Sequence, residues 1–240
     1  MSAYTIRIED VASLDCRVET HAWGFAHTHR DDIARHWRGL VAAKPAMFDG
    51  RVLLMHGGGI VEAGGARILR SAHFETNFSA FIAWRDFGFP NTGVQNCFSM
   101  AALRGNDGGF VLAEMGAHTA SAGLVYFPAG TPDPGDVRGN ILDLNGCVLR
   151  ELEEETGLGA QEVSVDPGWT LVDAGPRLAC MKTVRVDASA YEIARDLNAR
   201  IAAQVDPELA GVRVVRDVSQ IDPVRMPDFI VAYLTRAFDA

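Results

Sequence analysis

The run Arg150-Glu151-Leu152-Glu153-Glu154-Glu155-Thr156-Gly157-Leu158 constrains the fold more than any other stretch of this chain. Glu and Leu are good helix formers, and Gly157 supplies a left-handed stop, so the segment reads as the end of a helix. The spacing predicts that helix over Ile141 to Thr156, with Ile141, Val148, Leu149 and Leu152 forming an apolar stripe toward a core. On such a helix Glu151, Glu154 and Glu155 fall within about 100° of one another. Stacked like charges repel, so a solvated acidic face gains nothing from the arrangement. A hard divalent cation reverses the sign. Mg²⁺ takes a few carboxylate oxygens and completes its shell with water and substrate phosphate.

Upstream lies Phe127-Pro128-Ala129-Gly130-Thr131-Pro132-Asp133-Pro134-Gly135-Asp136, rich in turn formers and placed after the apolar segment 123–127. Together the two segments resemble the box of the Nudix hydrolase superfamily. In that pattern Gly is followed after five residues by Glu, then after seven by Arg-Glu-aliphatic-any-Glu-Glu-any-Gly-aliphatic. Gly130 fills the first position, and Arg150 to Leu158 match the closing half at every specified position. Two departures are visible. Asp136 stands where the family has Glu, and thirteen residues separate it from Arg150.

The resemblance implies an α+β protein, a Nudix α/β/α sandwich with a mixed β-sheet spanning residues 93–240. A smaller N-terminal α+β subdomain, residues 1–92, precedes it. It implies a Mg²⁺-dependent diphosphatase, with Mn²⁺ as a substitute, cleaving the phosphoanhydride of a nucleoside diphosphate derivative. Glu154 and Glu155 are then the central metal ligands, Glu151 a ligand or water-positioning group, and the Ala129 carbonyl a further ligand. Arg150, with Glu154 one helical turn on, orients a carboxylate. Asp136, one methylene shorter than Glu, either replaces the missing group or is carried out of the site by the longer spacer. The general base is open among a box Glu, Glu192, Asp206 and Glu208.

Trp37, the segment Lys44-Pro45-Ala46-Met47-Phe48-Asp49-Gly50 and the aromatic stretch to Asn91 resemble the UDP-sugar diphosphatase (UDP-glucose pyrophosphatase) branch. That resemblance implies a nucleotide-sugar substrate giving UMP and a sugar 1-phosphate. ADP-ribose and coenzyme A diphosphatases are the alternatives, as is a nucleotide-binding module without turnover. A homodimer is an open expectation.

Composition narrows the partners. Net charge is −9, from 22 basic and 31 acidic residues, which argues against a nucleic-acid backbone as partner. Small phosphorylated molecules stay open, because a bound metal reverses the local field. Cys16, Cys97, Cys147 and Cys180 form no CxxC pair and read as reduced, buried thiols of a cytoplasmic protein. No apolar run approaches a membrane span, and 1–18 lacks the pattern of a signal peptide.

Along the chain, 4–8 alternates as a strand, and Asp31 or Asp32 begins a helix through Ala43. Strands are expected over 51–55 and 66–71, separated by a turn at His56-Gly57-Gly58-Gly59 and by Gly64-Gly65. Residues 96–104, 109–115, 123–127, 169–172 and 183–186 read as further strands, and 188–205 and 226–238 as helices. The aromatic stretch 74–89 fills a core or stacks a base. Without a GxSxG elbow or a following Lys-Ser/Thr, the triglycine is neither an oxyanion loop nor a phosphate loop. His21, His27, His29 and His36 fit no standard zinc spacing. An isomerase on the same fold would want an acid or nucleophilic Cys beside the metal, and Cys147 lies on the helix before the Glu cluster, where packing explains it.

Overall fold

A computed structural model describes residues 4–90, 92–119 and 121–239; Asn91, part of the expected turn after the aromatic stretch, lies outside them. The chain begins with strands β1 (Arg7–Val11) and β2 (Ser13–Val18), then helices α1 (Gly24–Thr28) and α2 (Arg30–Ala43). A long hairpin follows, β3 (Arg51–Ala63) and β4 (Ala66–Asn77), and leads into α3 (Phe78–Asp86). Next come β5 (Asn96–Gly105), β6 (Phe110–Met115) and the two-residue strands β7 (Val125–Tyr126), β8 (Ala129–Gly130), β9 (Val137–Arg138) and β10 (Ile141–Leu142). Helix α4 (Leu144–Thr156) carries the acidic run. After it come β11 (Ser164–Val165), β12 (Trp169–Ala174), β13 (Arg177–Val186), α5 (Ala190–Ala203), β14 (Leu209–Val215) and α6 (Asp228–Asp239).

The larger sheet runs β1-β12-β13-β5-β6-β14, with β11, β7 and β8 paired beside it. It is mixed: β13 and β5 are parallel over ten register pairs, and their other neighbours are antiparallel. Successive side chains on a strand face opposite ways, and β5 uses both faces. Cys97, Ala101 and Leu103 pack with Val148 and Leu152 of α4 and Ile193 and Leu197 of α5. Phe98, Met100 and Ala102 pack with Phe229, Ile230, Tyr233 and Leu234 of α6 on the reverse face. The sheet therefore lies between helix layers, the α/β/α arrangement expected for 93–240. Burial of a residue such as Leu152, 0% exposed, contributes about 1.5–3 kcal/mol.

A second sheet, β3-β4-β2-β10-β9, sets one face against the core shared with α4 through Leu53, Met55, Leu69 and Cys16. Its other face holds Val52, Leu54 and Phe74 against Trp23, Phe25, Ile33, Phe81, Ile82 and Trp84. Sheet membership crosses residue 92 in both directions. β1 pairs with β12 in the larger sheet, and β9 and β10 extend the smaller one. Both exchanges cap sheet edges that would otherwise present unpaired backbone.

Several elements depart from expectation for local reasons. The triglycine does not turn; β3 runs through it, with a register shift between Met55 and Gly57, and the reversal falls at the second expected site, Gly64-Gly65. Gly58 is held at φ 145°, and a Cβ there would meet the Arg70 carbonyl oxygen at 2.5 Å. Close backbone approach, not chain reversal, is what Gly58 allows, whereas a Cβ at Gly57 or Gly59 would meet nothing. Helix α4 starts later than its apolar spacing suggests, because Asp143 caps it by accepting from the Gly146 amide at 2.9 Å. Ile141 therefore sits in β10 and is exposed rather than on the helix. β2, although Ser13-Leu14-Asp15-Cys16-Arg17-Val18 alternates polar and apolar, and β14 were not among the expected strands.

Candidate active site

Helix α4 presents Glu151 and Glu155 to strand β8, which hydrogen-bonds to β5 through Ser99↔Gly130 and Met100↔Ala129. The three carboxylates do not share one environment. Glu155 is 4% exposed, Glu151 is half-buried and Glu154 is exposed. The Ala129 amide donates to Glu155 Oε1 at 3.4 Å, while Glu155 Oε2 is buried without a hydrogen-bond partner. Burial, reinforced by the charges of Glu208 and Glu151, pushes the Glu155 carboxyl up to about 9. Burial likewise pushes Glu151 up to about 7, with Arg150 opposing it and Glu154 adding to it. Two desolvated carboxyls side by side form a place where positive charge is missing.

Arg150 supplies part of it. Its guanidinium donates to both oxygens of Asp136 at 3.0 Å and to Glu154 Oε2 at 3.0 Å, and pairs with Glu151 Oε1 at 2.9 Å. Asp136 is thus inside the site despite the long spacer. Residues 137–142 fold into β9 and β10, which join the smaller sheet, and the Asp143 amide bonds the Asp136 carbonyl at 2.9 Å. The inserted residues form a closed excursion that returns the chain beside its starting point. A turn over Pro134–Asp136, capped by Asp133, holds the carboxylate in place, and the Asp133 amide donates to Asp136 Oδ2 at 3.1 Å. The Leu53 amide bonds the Pro132 carbonyl at 2.7 Å, so the smaller sheet also braces this loop.

Among the described residues no three His, Cys, Asp or Glu side chains gather as a ready-made metal cluster. Arg150 draws Glu154 to the outer side, whereas Glu151 and Glu155 remain at β8. Those two carboxylates suit a divalent ion by chemistry: both are desolvated, and Glu155 Oε2 lacks a partner. The Ala129 carbonyl belongs to the strand that meets them. Of the later acids, Glu192 caps α5 by accepting from the Ser189 amide at 2.9 Å, and Asp206 is exposed. Glu208, also exposed, is the one whose charge reaches Glu155. Cys147 is fully buried and its thiol is pushed up to about 12 by that burial, so it stays protonated and packs as a core residue.

Gly130 serves a spatial role. A Cβ there would fall on the carboxylate of Glu151. Because the clashing atoms are the end of a mobile side chain, Gly130→Ala is expected to fold with stability within about 1 kcal/mol of the parent. The displaced Glu151 should lower turnover roughly 10- to 100-fold, since misplacement by ~1 Å can cost that much. Parallel thermal melts and rate assays check this. An unfolded or fully active variant would show that Gly130 has another role.

A cavity of 380 Å³ opens beside Ala129 and Gly130. Phe78 and Phe81 from α3, Phe89 after it, Phe229 from α6, Asn96 from β5 and Arg177 from β13 are among its walls. Sequence inspection missed these residues as a group. Only the aromatic density of 74–89 hinted at them, and it divides: Phe74 and Trp84 are core, Phe78 and Phe89 reach the cavity, and Phe81 and Ile82 belong to the core while also lining the cavity. The early histidines scatter: His21 stacks on His56 at 4.1 Å, and His36 bonds Asp86 at 2.8 Å.

No family model matches the chain, and no curated protein does. Solved structures do match. One is a Nudix hydrolase from M. smegmatis, RenU, at 16% identity and TM-score 0.35, covering 58% of this chain and 80% of that one. Another is a NUDIX hydrolase from Nitrosomonas europaea, at 14% identity and TM-score 0.37, covering 60% and 88%. A third is the NUDIX domain of Shewanella oneidensis NrtR complexed with ADP-ribose, at 17% identity and TM-score 0.37, covering 60% and 85%.

Proposed function

We propose that the chain is a Nudix-type hydrolase that cleaves the phosphoanhydride of a nucleoside diphosphate linked to a second group. The observation that carries this reading is the pair of desolvated carboxylates, Glu151 and Glu155, on the one helix that matches the family's closing motif, beside a cavity that can admit a ligand. Glu151, Glu155 and the Ala129 carbonyl would hold a Mg²⁺ or Mn²⁺ ion, and Glu154 would join on release from Arg150. When bound, such an ion neutralises diphosphate charge and acidifies a water. Arg150 meanwhile orients Glu151 and holds Asp136 at hydrogen-bond distance. Glu208, exposed and near enough for its charge to raise Glu155, is the acceptor we assign to the proton of the attacking water. Water adds at phosphorus, one P–O bond of the bridge breaks, and two phosphomonoesters leave.

For the substrate we infer a UDP-sugar, yielding UMP and a sugar 1-phosphate. Support comes from the leader: Lys44, in the segment that resembles the UDP-sugar branch, donates from Nζ to the Thr119 carbonyl at 2.6 Å. It thereby tethers the loop before Ser121 and Leu124, which line the cavity. One observation favours a module without turnover: Arg150 already balances three carboxylates internally. Incubation with UDP-glucose, ADP-ribose, NADH and coenzyme A, each with Mg²⁺, separates the readings. UMP release from UDP-glucose is the expected result, and turnover of a non-uridine substrate alone would replace the substrate class. No turnover of any, with nucleotide still bound, would leave the binding module.

A further inference from the structure

Asn96 and Arg177 are register partners on the parallel strands β5 and β13, so their side chains emerge next to one another at the cavity wall. Each leaves a polar atom unused. Asn96 is 8% exposed and its Oδ1 is buried without a partner; the Nε of Arg177 is buried without one as well. An unmet buried acceptor and an unmet buried donor cost about 1–3 kcal/mol each unless something pairs with them. Arg177 is otherwise committed: it donates to Asp228 Oδ1 at 3.0 Å and to the Tyr4 hydroxyl at 2.6 Å. Asp228 offsets its charge, so the pair suits a neutral hydrogen-bonding edge and not a second phosphate.

The rest of the wall is aromatic. The Arg177 guanidinium lies 5.2 Å from the Phe229 ring centre and 5.9 Å from that of Phe89. Phe89 is held at φ 54°, a left-handed conformation that is costly for a bulky residue. Its amide bonds the Trp84 carbonyl at 2.9 Å, and the two rings meet edge-on at 4.8 Å. Backbone strain over-determined by its surroundings is found where a side chain must be presented to a ligand. At 380 Å³ the cavity lies at the low end of the ~300–1,000 Å³ range of ligand sites, enough for one half of a nucleoside diphosphate derivative. The other half must remain outside, with the diphosphate at Ala129 and Gly130.

We propose that this cavity binds the nucleobase, its aromatic walls holding the ring while Asn96 and Arg177 read its donor–acceptor edge. The choice of a nucleobase over other planar rings rests on the phosphoanhydride reading, but the site itself requires no turnover. Calorimetric titration of the full chain in chelator tests it, using UMP, CMP, AMP, GMP and ribose 5-phosphate. The best nucleotide should bind at least about tenfold tighter than ribose 5-phosphate, because the latter leaves the polar pair unmet. Asn96→Leu should bring the nucleotides within about threefold of one another while leaving ribose 5-phosphate unaffected. Asn96→Asp, which keeps the shape and the acceptor but loses the amide donor, should change the order of the four bases and guards against a misfolded Leu variant. Ribose 5-phosphate binding as well as every nucleotide, or a base order untouched in the folded variants, would overturn the assignment. Base preference without hydrolysis of any diphosphate would sustain this site and remove the catalytic reading instead.

Discussion

Glu155→Gln is expected to abolish metal-dependent hydrolysis while leaving the protein at least as stable as its parent. Loss of an outer partner of a metal ligand costs roughly 10- to 100-fold, so loss of a ligand itself should cost roughly 100-fold or more. The stability result follows from the metal-free environment. Glu155 is 4% exposed, and one of its oxygens has no partner. Burial pushes its carboxyl up to about 9, so the folded chain keeps a proton that the unfolded chain releases near its ordinary value of 4.5. The native state binds more protons between those values, and stability falls as pH rises through the window. Gln does not titrate. In chelator, the melting temperature of the variant should therefore gain on the parent as pH is raised toward 9. Thermal melts at several pH values, alongside rates in Mg²⁺, measure both effects. Undiminished hydrolysis would remove the metal role of this carboxylate.

Arg150→Ala should produce the opposite balance, a clear loss of stability together with loss of activity. Asp136 is 5% exposed and receives a two-pronged contact from Arg150; without it, among the described residues the Asp133 amide is the one remaining hydrogen bond to its carboxylate. Breaking a fully buried ion pair from one side costs about 3–5 kcal/mol. Arg150 itself keeps 36% side-chain exposure, and water reaching that edge lowers the expected cost to about 2–3 kcal/mol. Asp136→Asn in the same chain removes the stranded charge, so the double variant should recover part of the loss. Urea unfolding of the parent, both single variants and the double closes that cycle. Arg150→Lys should rescue less than charge alone suggests, because an ammonium cannot make the fork. An additive cycle would mean that Asp136 and Arg150 do not depend on each other.

The two variants separate what was legible in the chain from what was not. The carboxylates of α4 are legible because helical spacing is local: residues three and four apart share a face whatever surrounds them. Arg150 with Glu154 follows from the same spacing, and the left-handed stop at Gly157, φ 71°, follows from its residue type. Burial does not follow. Glu154 and Glu155 are neighbours in the chain, yet one faces solvent and the other lies under β8. Asp136 was undecided from spacing alone, since a longer spacer can carry a residue away or loop back. Pairing of β9 with β10, and of β10 with β2, makes it loop back.

Strand expectations did best where the apolar run is continuous and both faces are buried, as in β5 and β6, whereas β13 begins at Arg177, earlier than the expected 183–186. The triglycine misled because glycine marks turns and close backbone approach alike, and here Ser71 and Arg70 lie against it.

By itself, then, the sequence determined an amphipathic helix with a row of carboxylates, a capped end and a match to one family's closing motif. Each of these depends on interactions within a few residues. The tertiary structure decided which carboxylates lose water, that Arg150 reaches Asp136, and that Asn96 meets Arg177 from 81 residues away along the chain. Desolvation and strand register are properties of the whole packed sheet, and no local pattern in the chain encodes them.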